Sequence, residues 1–171
     1  MRRTKPGSPS PLTSATEESA LLADQLRRAF EGDAWHGPAL LELLADIDAS
    51  SAAARSIKDA HSIWELVLHI AAWDDAVNRR IVLGKALELN DEENFPPVKD
   101  SSAAAWRKAV DHAKQAHARL VKTVEVLPDE RLTEQVAGKS YDIRFMLEGV
   151  AQHELYHAGQ IAMLKKAPRN R

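Results

Sequence analysis

The sequence predicts an all-α protein, an up-down four-helix bundle with one long crossover connection. Three observations carry that expectation. Glycine is scarce, 7 in 171 residues, while Ala, Leu and Glu abound, a composition that favours helix. Val and Ile seldom alternate with polar residues, so no strand of convincing length is visible. Three long amphipathic segments and a shorter N-terminal one are set apart by Gly and Pro punctuation, and one of the separations is long.

Residues 1–14 hold three Pro, three Ser and a Gly without apolar periodicity, and are expected to be a disordered tail. From Thr16 to Phe30 the positions Ala20, Leu21, Ala23, Leu26 and Phe30 follow helical spacing, with Glu17 and Glu18 at the end where the helix dipole favours acid. Gly32 ends that helix. Asp33-Ala-Trp-His-Gly-Pro38 is turn chemistry, and Pro38 can open a short helix through Leu44 toward Ile47, followed by a looser stretch from Asp48 to His61. Ser62-Ile-Trp-Glu65 reads as a capping box, starting a long helix that Gly84 stops after Leu83. Residues 85–100 include Pro96-Pro97, through which no helix can run, and form the long connection. A third helix spans Ser102 to Leu127 and breaks at Pro128-Asp129. After a loop through Gly138-Lys139-Ser140, Asp142 caps a fourth helix that reaches Lys166 and ends before Pro168, with Tyr141 and Met146 as its hydrophobic staple. A chain of this length is one domain, placed at 15–167, with residues 168–171 as a C-terminal tail.

Composition removes several functions. With no Cys, the chain cannot build a disulfide framework, a thiolate metal site or a cysteine nucleophile. The 23 Lys plus Arg against 25 Asp plus Glu give a net charge of −2, unlike the basic stripe of an electrostatic nucleic-acid binder. No apolar run approaches a membrane span, and no apolar segment follows the N-terminal Arg pair. The expectation is a cytoplasmic protein that acts on a small molecule, with neither nucleic acid nor membrane as partner.

The chemistry-bearing segment is His153-Glu-Leu-Tyr-His157. Histidines four apart share a helix face and can reach one metal ion, although seven histidines in 171 residues make the spacing weak evidence alone. The string also matches the H-E-x-x-H helix of zinc proteases. Those enzymes need a third ligand downstream, and Ala158 to Arg171 contains no His, Asp or Glu, so the protease reading is poor. His69 offers an upstream ligand: it sits among apolar neighbours in Trp64-Glu-Leu-Val-Leu-His-Ile-Ala-Ala-Trp73, where an imidazole wants a partner. Two histidines on one helix and one on a facing helix would make a three-nitrogen site with open positions; the alternative is ordinary core histidines bonded to a carbonyl or carboxylate.

Three stretches together resemble the DinB-like (YfiT-like) superfamily of metal-dependent four-helix-bundle proteins: Ala34-Trp-His-Gly-Pro38, His61 to Trp73, and Gly149 to Ile161 with its His-x-x-x-His core. The resemblance covers roughly Phe30 to Ala167. It implies a divalent ion, nickel or zinc, held by His69, His153 and His157, and a homodimer. Better-understood relatives are thiol-dependent, the bacillithiol transferases and the mycothiol-dependent maleylpyruvate isomerase, which implies a low-molecular-weight thiol as possible cosubstrate. A cation lowers the pKa of such a thiol and makes it a nucleophile.

Helix spacing names further candidates. Glu65 lies four before His69 and Gln160 three after His157, so each could orient an imidazole, with capping as the competing role for Glu65. Glu154, next to His153, could act as general base or be a solvated carboxylate. Trp73 and Tyr156 read as core or pocket wall, His36 and His61 as structural or exposed, and Asp91-Glu-Glu93 as an exposed loop. His112 and His117, five apart and so on different faces, are expected to face solvent. The leading expectation is a metal-dependent enzyme that activates water or a thiol for hydrolysis or S-transfer. The alternatives are a non-catalytic metal- or ligand-binding module of the same fold and a metal-free interaction bundle.

Overall fold

A computed structural model of the chain describes residues 17–167; the expectations for residues 1–14, Thr16 and residues 168–171 lie outside them. Four long helices form a bundle: α1 (Glu17–Phe30), α4 (Ile63–Leu83), α6 (Ala103–Glu125) and α7 (Ile143–Lys166). α1 and α4 each pack against both α6 and α7, so they stand on one diagonal of the bundle. Short helices α2 (Leu40–Leu44) and α3 (Ala49–Ala53) close one end, where the Trp106 indole N–H donates to the Ile47 carbonyl at 2.8 Å. No helix among the described residues is long and apolar enough to cross a membrane.

The helix boundaries follow local chemistry. The Ser62 hydroxyl accepts from the Glu65 amide at 3.2 Å, and a Glu65 oxygen takes the Ser62 amide at 2.8 Å, which satisfies two amides that the first turn leaves unpaired. Gly84 ends α4 at φ +59°, a left-handed conformation that glycine adopts without a Cβ clash. Asp142 caps α7, accepting the Phe145 amide at 2.9 Å. The Ser62 cap is buried, and Ser62→Ala is expected to cost about 1 kcal/mol in urea unfolding while leaving the helical circular dichroism intact.

Two stretches are more ordered than their composition suggests. α3 forms inside the loose segment because Asp48 caps it, accepting the Ser51 amide at 2.7 Å. In the crossover, Asn90 caps a four-residue helix α5 (Asp91–Asn94) that ends before the proline pair. A 3-10 turn also follows Pro128, over Asp129–Thr133.

The interior is not uniformly apolar. One apolar cluster takes in Trp64, Val67, Ile70, Trp106, Ala113 and Ile161, and a second takes in Leu26, Val77, Ile81, Leu120, Val124 and Leu147. Between them on three helices lie Asp74 of α4, His117 of α6 and Glu154 of α7, each 0–1% exposed. The bundle therefore carries a buried polar layer at mid-height.

Candidate metal centre

α4 and α7 bring the predicted histidines together. The His153 Nε2 lies 2.9 Å from the Nε2 of His69 and 3.0 Å from that of His157. Each outer ring is held from behind. The Nδ1–H of His69 donates to the main-chain carbonyl of Asn94 at 2.6 Å, and the Nδ1–H of His157 donates to the Gln160 side-chain oxygen at 2.6 Å. Because those oxygens only accept, they place the proton on Nδ1 and leave the lone pair of each Nε2 pointing inward. Asn94 comes from α5 in the crossover; its side-chain oxygen also accepts the Trp73 indole N–H at 2.8 Å. Phe95 stacks on His69 with ring centroids 4.0 Å apart, and on its other face stacks His61 at 3.8 Å.

This donor set suits a cation. Lone pairs converging at such distances repel one another unless a positive charge sits among them. Two nitrogens each about 2.1 Å from an ion stand about 3 Å apart when their bonds are near right angles, so the spacing fits one ion. Burial holds His69 down to about 4, with the nearby His157 and His61 adding to the effect and the Asn94 bond opposing it. Burial and the neighbouring rings push His153 to about 3, and burial also lowers His157. At neutral pH all three are therefore unprotonated and available as ligands.

The histidines open into a cavity of about 470 Å³ whose wall is mostly apolar and aromatic, including Trp73, Phe95, Phe145, Met146 and Tyr156. Tyr156 and Phe145 are more than half exposed and form its rim. No fourth His, Asp or Glu joins the three among the described residues.

The other sequence-derived candidates lie elsewhere. Glu65 is held below the usual carboxylate range: burial opposes this, but its bonds to Ser62 and the charges of Arg55 and His61 outweigh it. It caps α4 and pairs with Arg55, and has no bond to His69. Glu154 does not line the cavity; it is wholly buried on the core side of α7, where its Oε1 accepts from His117 Nδ1 at 2.9 Å. His36 and His112 are exposed.

His117 departs from expectation. It is 1% exposed rather than solvent-facing, stacked on Phe30 at 4.0 Å and facing both Glu154 and, at 3.4 Å, Asp74. The signal for it was present: on α6 it continues the stripe of Ala113, Ala116, Leu120, Val121 and Val124. Burial works against its charge, but the bonds and charges of Asp74 and Glu154 prevail and raise it to about 9. Burial and the Asp74 charge push Glu154 up to about 8 against the pull of His117, and burial raises Asp74.

A family model described as the DinB superfamily matches residues 33–161. No curated protein and no solved structure matches the chain.

Proposed function

The chain belongs to the DinB superfamily, and from that premise we propose that it is a metal-dependent enzyme whose His69, His153 and His157 hold one divalent ion, nickel or zinc, to activate water or a low-molecular-weight thiol for hydrolysis or S-transfer. One observation carries this reading: three inward-facing Nε2 atoms meet at the wall of a cavity open at its rim, without a fourth protein ligand among the described residues. Structural metal sites are closed by four protein ligands, whereas catalytic ones keep a position free. A bound divalent ion would supply the positive charge that lowers the pKa of a water or thiol near it.

The chain's own residues supply the rest. Asn94 and Gln160 fix the two outer imidazoles, and the mostly apolar wall takes the apolar part of a substrate. Lacking cysteine, the chain would take any sulfur nucleophile from a cosubstrate. The same reading includes a homodimer, as the family resemblance suggests, and a cytoplasmic setting, as the sequence composition suggests.

The test is elemental mass spectrometry of untagged protein. About one equivalent of metal is expected in the wild type and little in His69→Ala; a wild type that neither carries nor takes up nickel or zinc overturns the reading. Gln160→Ala should weaken metal binding about 10- to 100-fold in competition with a chelator, because the ring it orients is freed. An unchanged affinity would remove Gln160 from the site.

A further inference from the structure

The cavity that holds the three histidines contains one fixed positive charge, that of Arg80. On α4, His69, Trp73, Val77 and Arg80 recur at intervals of four, four and three, so they form one stripe along the cavity wall. The Arg80 side chain is only 2% exposed. Its guanidinium lies over the Trp73 ring, 5.4 Å from the centroid, and Trp73 in turn meets His153 at 6.0 Å. One indole therefore separates the cation from the histidine cluster.

A guanidinium this buried needs compensation, and the protein supplies little. Nε and Nη2 both donate to the Leu87 carbonyl, at 3.1 and 2.7 Å, which satisfies hydrogen bonds without neutralising charge. The nearest carboxylate among the described residues, Glu88, stands 3.9 Å away, is 67% exposed and is engaged by Lys139. Among the described residues Nη1 has no hydrogen-bond partner. A cation left so in an apolar cavity attracts an anion far more strongly than it would in water.

We propose that Arg80 is the anion-binding end of this cavity, and that the substrate is a small molecule with an apolar body and one carboxylate, gripped by the guanidinium while its reacting end reaches the histidine cluster. The inference rests on the metal-dependent reading for the reacting end alone. The apolar wall takes the body of the molecule, Trp73 forms the floor between the two ends, and planar guanidinium geometry suits a carboxylate. A neutral analogue of the same shape would leave Arg80 uncompensated and bind worse.

Octanoate and octanamide, titrated calorimetrically into the zinc-loaded protein, supply the test. The carboxylate is expected to bind at least tenfold more tightly than the amide, with the preference erased in Arg80→Gln and partly kept in Arg80→Lys. Because octanoate could instead sit on the metal, the pair is repeated on His153→Ala. Preference that survives there supports the Arg80 subsite even where Arg80→Gln fails to fold. Equal affinities in the wild type, no binding of either compound, or a preference that vanishes in His153→Ala overturns it. Metal content, measured separately, reports on the metal reading alone, so the two can fail independently.

Discussion

Replacing His117 with leucine is expected to destabilise the protein by about 3–5 kcal/mol at neutral pH, the magnitude found when one partner of a buried ion pair is removed. The imidazolium is the cation between the Asp74 and Glu154 carboxyls, and none of the three reaches solvent. Without it both carboxyls must stay protonated in the fold. Both already have raised folded-state values, Glu154 about 8, so what they contribute to stability is fully present below their unfolded values and lost as pH rises through the folded ones. The leucine variant should therefore trail wild type already near pH 4, where the His117 contribution is complete, and fall further behind it toward pH 7. His117 itself, raised to about 9, stabilises the wild type below 6.5 and ceases to do so as pH passes 9, so the wild type should weaken at alkaline pH. Urea unfolding at pH 4.5, 7 and 9 reads all of this. Adding Asp74→Leu and Glu154→Met to His117→Leu should recover much of the loss. A leucine variant as stable as wild type at pH 7 would mean that the layer carries no charge.

Loading the metal-free protein with zinc should raise its stability by about 2.7 kcal/mol when free metal stands at one hundred times its dissociation constant, since the unfolded chain offers no assembled site. His153→Ala should lose the gain entirely, because it removes the nitrogen that both other rings face. The metal-free protein should also be acid-sensitive. His69 and His153 are held at about 4 and 3 in the fold, so below pH 6.5 the unfolded chain takes up protons that the folded chain refuses, and stability falls until those lower values are reached. Thermal melts from pH 7.5 to 4.5, with and without zinc, check both. A metal-free wild type whose melting temperature is flat across that range would show that the three imidazoles are not desolvated.

The sequence made some of these residues legible and hid others for identifiable reasons. The helices were readable because their ends are written in short-range chemistry: the Ser62–Glu65 box, Gly84 and Asp142 all act where their local pattern puts them. Two of the three histidines were visible because their spacing lies within one helix, and Gln160 followed from the same spacing. Asn94 was invisible, since it contributes a main-chain carbonyl to His69, and any residue type can do that. The polar layer was missed for another reason. Asp74, His117 and Glu154 each fall on the buried stripe of their helix, in register with Ile70 and Val77, Ala113 and Leu120, Val150 and Ala158. A titratable residue on one helix looks solvated until the other two helices supply its partners.

That layer also acts as an alignment key. Leucine surfaces tolerate sliding, because one apolar contact exchanges for another at small cost, whereas a slip of α6 by one turn, about 5.4 Å, would carry His117 from between Asp74 and Glu154 and strand three titratable groups in a buried interior. Asp74 lies five residues beyond His69, and Glu154 adjoins His153. The relative height of α4 and α7, on which the meeting of the three Nε2 atoms depends, is thus fixed by a helix that contributes no residue to the histidine cluster.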